Sequence, residues 1–231
     1  MTTPAPTLSP ITPTATPQAY QAAHTDAILV DHSRLGVLRF SGRSRLELIN
    51  RMSTQKVDTL EPGQSAATVL TSDIGRVIDR LRLYARPDDV LCLTGEDNAE
   101  AIARYLLRFV FFLDDFQVEE LSDQTAIFGL YGPRAGERLA ALVEKAEFSL
   151  THFPADPLAG QGHFLLVPAG ERDRLEAQLT AAGVTPAGDA DYDYVRIESG
   201  WPRFGRELSL DYIPLEANLW ADVSFTKGCY T

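Results

Sequence analysis

The first 25 residues contain no Lys, Arg, Asp or Glu. Without a basic start or an apolar central run they are no secretion signal, and without arginine they make a poor mitochondrial presequence. Threonine and proline fill the stretch instead, so residues 1–25 are expected to form a disordered tail: proline brings no backbone donor, and too few apolar side chains remain to bury. Cysteine is scarce as well. The chain has 2, Cys92 and Cys229, too few for a disulfide framework and at no zinc-binding spacing, and the cytoplasm is the expected compartment. Positive charge is in deficit, with 21 basic against 32 acidic residues and a net charge of −11. That balance opposes any broad grip on a phosphate backbone, so no direct nucleic-acid partner is expected. No apolar run approaches the roughly 20 residues that cross a bilayer, since the stretch 109–113 runs straight into Asp114-Asp115. No membrane partner is expected either.

Several familiar site patterns are also missing. The 4 histidines, His24, His32, His152 and His163, show no ligand spacing, and no metal is expected. Gly129–Gly136 contains neither G-x-G-x-x-G nor Gly-Lys-Ser/Thr, and reads as a turn with Pro133 near a helix start. Asp189, Asp191 and Asp193 lack the glycine and terminal glutamate of a calcium loop.

What is present is a folding chain of 231 residues, 45 % hydrophobic, enough for one large or two small domains. Residues 34–40 read as a strand, followed by a helix with Leu46, Ile49 and Met52 at three-residue steps. Strands are predicted at 66–71, 77–85 and 90–94, then a helix carrying Ile102, Leu106 and Phe109, then a strand at 116–121. A second cycle follows: strand 126–131, helix 134–146, strand 163–168, helix 171–182 stopped by Gly183, and strand 194–198. This order predicts an α+β chain of two ferredoxin-like split β-α-β halves, about 31–122 and 123–231, each with its helices on one face of an antiparallel sheet.

Three segments near the end carry a resemblance: Arg196-Ile197-Glu198-Ser199-Gly200-Trp201-Pro202, Gly205-Arg206-Glu207 and Lys227-Gly228-Cys229-Tyr230-Thr231. Together they resemble the YgfZ-type folate-binding proteins, relatives of the aminomethyltransferase (T-protein) of the glycine cleavage system. The resemblance runs from about Asp31 to Thr231, so residues 26–231 are expected to be an aminomethyltransferase-like folate-binding region. Relatives continue through Gly-Gln-Glu into a carboxyl-terminal barrel, which is expected to be absent here.

The resemblance implies tetrahydrofolate as cofactor and iron–sulfur proteins as clients, with a role in cluster assembly or repair that supports tRNA-methylthiolating radical enzymes. Two alternatives stay open: an aminomethyltransferase of glycine cleavage type, and a folate-binding scaffold without chemistry. Glu198 is expected to contact the pterin, because an ionised carboxylate accepts from two parallel donors at once; an Arg-paired surface acid, with Arg196 as partner, is the structural alternative. Arg196 and Asp193 belong to the same motif, and Tyr192 and Tyr194 are candidate ring-stacking walls. Asp79, in Gly75-Arg76-Val77-Ile78-Asp79-Arg80-Leu81, resembles the first acid of the family's G-x-x-x-D-D-L, while Arg80 stands where the second acid would be. A desolvated aspartate there could stabilise a cationic one-carbon adduct. Cys229 is the candidate reactive thiol, with Lys227 lowering its pKa. Cys92, in an apolar strand, is expected to be core.

Overall fold

A computed structural model describes residues 15–228 of the chain. Cys229, Tyr230 and Thr231, and residues 1–14 of the expected tail, lie outside the described residues. The first described element is a correction to that tail: Pro17–Thr25 forms helix α1. Thr16 caps it through its side-chain oxygen, Pro17 fits the first turn without a lost hydrogen bond, and Ala19 and Ala23 are buried. Alanine at four-residue spacing gave a packing face that the proline-rich surroundings had masked.

Strands β1 (Ile28–Asp31) and β2 (Leu35–Ser41) follow, then α2 (Arg45–Met52), β3 (Ser65–Thr71), β4 (Val77–Ala85), β5 (Asp89–Glu96), α3 (Ala99–Leu107) and β6 (Gln117–Glu120). The second cycle contains β7 (Thr125–Gly132), α4 (Ala135–Lys145), β8 (Thr151–Pro154), β9 (Gln161–Pro168), α5 (Arg172–Ala181), β10 (Thr185–Ala187) and α6 (Asp189–Glu198). The first sheet has the order β3-β4-β5-β2-β6, every pair antiparallel. Removing edge strand β3 leaves the ferredoxin-like order β6-β2-β5-β4. The second sheet runs β10-β1-β7-β9-β8, the same plan with β1 inserted beside β7. Two ferredoxin-like halves are therefore present, but the second recruits its extra strand from residues ahead of the first. Ile28 pairs with Tyr131 on one side and, in parallel, with Thr185 on the other.

Period-two alternation sorts each strand's side chains between two layers. In the first sheet Leu38, Phe40 and Cys92 pack under α2 and α3 with Leu48, Met52, Ile102 and Leu106. Their neighbours Val37, Leu91 and Leu93 face the other sheet, meeting Ile127, Phe153, Phe164 and Leu166. Tyr84 of β4 stacks on Phe153 of β8 across this interface, with centroids 5.0 Å apart and planes 8° apart. Helices α4 and α5 cover the outer face of the second sheet through Leu139, Leu142, Leu175 and Leu179. Cys92 is a free, buried thiol, and burial pushes it well above the ordinary range.

The strand predicted at 194–198 is helical instead. Asp189 and Asp191 lie in the first turn of α6, where the helix dipole favours acids, and the Gly188 N–H donates to the Asp191 carboxylate at 2.9 Å. After α6 the chain returns to the first half without regular strands. The Val77 N–H donates to the Tyr212 carbonyl at 3.0 Å and the Ser224 N–H to the Thr54 carbonyl at 2.9 Å. Leu208 and Leu219 pack there against Val69 and Val77.

Candidate functional site

The inter-sheet face of β4 is polar where its neighbours are apolar. Arg80 and Arg82 project from it, two residues apart, and both reach Asp156 in the β8–β9 connection. Arg80 is 7 % exposed, and all its nitrogens are engaged: Nη1 and Nη2 donate to the two Asp156 oxygens at 2.8 and 3.2 Å, and Nε donates to Asp222. Burial opposes its charge, but Asp156 and Asp222 outweigh it and hold the guanidinium above its ordinary pKa. Arg80 also lies over the Trp201 ring, 5.0 Å from its centroid.

A cavity of about 80 Å3 opens beside this network, bordered by Asp79, Arg82, His32, Tyr131, Tyr192 and Phe204 among others. Asp79 is fully buried and accepts from the Gly95 N–H at 2.9 Å, the Asn98 amide at 2.8 Å and the Arg80 N–H at 2.7 Å. Burial outweighs these donors and raises its pKa to about 6, placing the proton's departure near neutrality. His32 sits opposite, its Nε2 2.9 Å from the Tyr131 hydroxyl. Burial, reinforced by the Arg203 charge, lowers its pKa to about 4 and keeps the imidazole neutral. Tyr192 packs edge-on to His32 at 4.6 Å, and burial raises its hydroxyl to about 12.

The segment after α6 closes the cavity. Arg203 donates from Nε to Glu96 at 2.8 Å, from Nη1 to Asp193 at 2.9 Å and from Nη2 to Asp189 at 2.6 Å. Although burial opposes its charge, these carboxylates raise its pKa. The next residue, Phe204, lies so close to Gly95 that a Cβ there would meet the ring at 2.3 Å. Glycine at 95 is what lets the ring settle.

Of the residues proposed from sequence, Asp79 and Tyr192 border this cavity. Arg196 is one layer behind: 2 % exposed, it donates to Asp193 at 2.6 Å and to Glu207 at 2.9 Å, so Glu198 is not its partner. Glu198 does not border the cavity. Its carboxylate meets α1, accepting from the Tyr20 hydroxyl at 3.1 Å and lying 3.0 Å from His24 Nε2. Tyr194 is on that same face, edge-on to Tyr20 at 5.3 Å. The reason is the helix: on a strand residues 192, 194, 196 and 198 would share a face, whereas on α6 the turn sends Tyr192 inward and Tyr194 and Glu198 outward. Lys227 holds the end of α2, donating from Nζ to the carbonyls of Asn50 and Ser53, and burial lowers its pKa. Cys229 lies outside the described residues. Cavity residues not singled out from sequence include His32, Tyr131, Arg82, Asp156, Phe164 and Phe204. Two arginines at alternate positions of an otherwise apolar strand were the one visible signal. Among the described residues no cluster of His, Cys, Asp and Glu could hold a metal ion, and no helix is long and apolar enough to cross a membrane.

Two ferredoxin-like halves meeting over a cavity form a fold that this chain shares with a solved aminomethyltransferase. The glycine cleavage system aminomethyltransferase T of Bartonella henselae superposes with a TM-score of 0.78 at 22 % identity, covering 89 % of this chain and 60 % of that one. The family described as the GCVT N-terminal domain matches residues 10–157. That is more than half of the chain, which belongs to this family. Among curated relatives, the "Putative transferase At1g60990, chloroplastic" of Arabidopsis thaliana is 27 % identical over 92 % of this chain and 53 % of its own length. The aminomethyltransferase of Cutibacterium acnes is 30 % identical over 90 % of this chain and 63 % of its own. The chain thus spans about half to two-thirds of the length of the relatives it matches.

Proposed function

We propose that the chain binds a reduced folate through the cavity at Asp79 and serves as a folate-dependent accessory protein to iron–sulfur enzymes, those that methylthiolate tRNA among them. The observation that carries the folate reading is a buried carboxyl with a pKa near 6 in a pocket walled by Tyr131, Phe164, Tyr192 and Phe204. Flat aromatic walls with a few convergent polar groups suit a flat heterocycle. The cavity of about 80 Å3 is smaller than the roughly 300 Å3 at which small-molecule sites begin. A bicyclic ring therefore enters as Phe204 leaves Gly95, with the Arg203 ion pairs as the hinge of that movement.

Bound there, folate would supply a carrier for one-carbon units. Asp79 holds its proton to higher pH than an exposed carboxyl and can donate or accept near neutrality, and the closed Phe204 segment excludes water. Arg80 bears on which family activity is retained. With a buried, doubly paired guanidinium at the position where the family pattern G-x-x-x-D-D-L has its second acid, β4 offers Asp79 alone of that acid pair, which favours folate binding in an accessory role over aminomethyl transfer. Cys229 is assigned the thiol step toward the client on the strength of the YgfZ resemblance.

Anaerobic calorimetry with tetrahydrofolate tests the binding: saturable heat from the wild-type chain, lost in Asp79→Ala and in Tyr192→Ala, is expected, and no heat from the wild type refutes the folate reading. For the accessory role, cells lacking the gene should lose tRNA methylthiolation and regain it with the wild-type chain but not with Cys229→Ala. Release of ammonia from an aminomethylated lipoyl protein by the purified chain would instead establish aminomethyl transfer.

A further inference from the structure

Among the described residues that border the cavity, Arg82 is the one with a buried donor left over. Its Nη2 donates to Asp156 Oδ2, but Nη1 is buried and has no hydrogen-bond partner. The other buried donors and acceptors without partners, on Arg45, Arg51 and Thr71, do not border the cavity. Asp156 already accepts two hydrogen bonds from Arg80 and one from Arg82 Nη2, and Nη1 makes none with it. A buried guanidinium N–H without an acceptor is among the costlier polar defects, and a fold that keeps one beside a cavity is arranged for an acceptor that arrives from outside.

The geometry points to Arg82 Nη1 as the group that reads the ring oxygen of the bound heterocycle, and so sets preference for a 4-oxo over a 4-amino pteridine ring. This rests on the folate reading of the same cavity. Arginine donates and never accepts. Of a reduced pterin's pyrimidine ring, the exocyclic amine and the N3–H are donors and the 4-oxo oxygen and N1 are acceptors, and the 4-oxo oxygen is the acceptor that a 4-amino analogue removes. The Tyr192 hydroxyl, kept protonated by burial, is a second donor bordering the cavity, whereas the other groups there are committed elsewhere. Arg80 is fully engaged, Arg203 is tied to Glu96, Asp189 and Asp193, and the Tyr131 hydroxyl is 2.9 Å from His32. The cavity also carries no excess positive charge. Arg80, Arg82 and Arg203 face Asp79, Glu96 and Asp156 across it, so the free N–H suits a neutral carbonyl oxygen better than an anion. Arg82 is a specificity residue on this account, not a catalytic one.

The test compares tetrahydrofolate with its 4-amino analogue, in which the acceptor oxygen is replaced by an NH2 donor, by anaerobic calorimetry on the full chain. The wild type is expected to prefer the 4-oxo compound by roughly tenfold to a hundredfold, the range of a hydrogen bond to a charged donor. Arg82→Met is expected to bind the two equally, while Arg82→Lys, which keeps a charged donor, retains part of the preference. Equal binding of both compounds by the wild type, or full discrimination surviving in Arg82→Met, overturns the assignment and leaves the folate reading standing. Binding of neither compound by the wild type removes both. Should Arg82→Met fail to fold, the wild-type ratio and Arg82→Lys decide the question.

Discussion

The two sheets share a plan and divide the chemistry. Toward their common interface the first sheet turns Arg80, Arg82 and Tyr84 from β4, while the second turns Ile127, Phe153, Phe164 and Leu166. The buried acid Asp79 belongs to the first half. The buried imidazole His32 follows β1 and hydrogen-bonds to Tyr131 of β7, both in the second sheet. Duplicated architecture thus supplies two similar walls, and their different side chains make the space between them a site. Neither sheet alone provides both the cationic donors and the aromatic faces.

The largest effect is expected from removing the charged link between the walls. Arg80→Met leaves Asp156 and Asp222 facing each other in the interior without their shared cation, and should cost about 3–5 kcal/mol in urea denaturation. A loss below 1 kcal/mol would mean that the halves are joined by their apolar contacts alone.

Next in size is a pair of opposed pH effects, one from each wall. Asp79 has its folded pKa raised from 3.8 to about 6, so between those values the native state holds a proton the unfolded chain has lost. Its contribution is fully present below pH 4 and disappears as pH rises through 6. His32 has its folded pKa lowered from 6.5 to about 4. The unfolded chain binds the extra proton in that window, so the His32 contribution is present above pH 6.5 and is lost as pH falls toward 4. Each is on the order of 3 kcal/mol, and they nearly cancel in the wild type. The stability of the wild type relative to Asp79→Asn should fall as pH rises from 4 to 6, and relative to His32→Gln it should rise. Parallel curves for the three proteins would refute the buried placement of these groups.

Smaller effects probe how the cavity is closed. Gly95→Ala drives a methyl into the Phe204 ring and should destabilise by about 1–3 kcal/mol, the usual range for overpacking. Phe204→Ala beside it should recover part of that loss and speed tetrahydrofolate association in stopped flow. The smallest effect expected is that of Glu198→Ala. Because that carboxylate faces α1 outside the cavity, tetrahydrofolate affinity should stay within about twofold of the wild type, as for surface changes remote from a site. A much larger loss would bring the α1 face into the folate site.

Much of the fold was legible in the sequence because helix and strand periods are local. Ile49 and Met52 of α2 and Leu175 and Leu179 of α5 are buried as their spacing implies, while Leu46 is only partly buried and Leu48 completes the α2 face. The misreadings are equally local. In 189–194 acids and tyrosines alternate by coincidence at the period of a strand, and even the buried positions 191, 193 and 195 do so, yet the backbone closes helical bonds such as the Tyr192 N–H to the Gly188 carbonyl at 3.0 Å. Strand β1 is too short, at four residues, to declare a period. The site was less legible for a different reason. Arg82 and Asp156 are separated by 74 positions and Arg80 and Asp222 by 142, and no local pattern announces a partner so far away. Asp79 was found through a motif, while the groups that give it a cavity come from segments scattered from residue 32 to residue 208.

The first described strand and the last described segment each pack on the half to which they do not belong in sequence. Residue 28 completes a sheet whose last strand begins at 185, and residues 204–224 return to a layer laid down by 52–84. During synthesis, an emerging first half would lack its cover, and β1 would wait about 100 residues for β7 on one edge and some 150 for β10 on the other. Such long-range closure slows assembly and ties the two lobes into one cooperative unit, so a cut anywhere between them should leave two fragments that each need the other to become native.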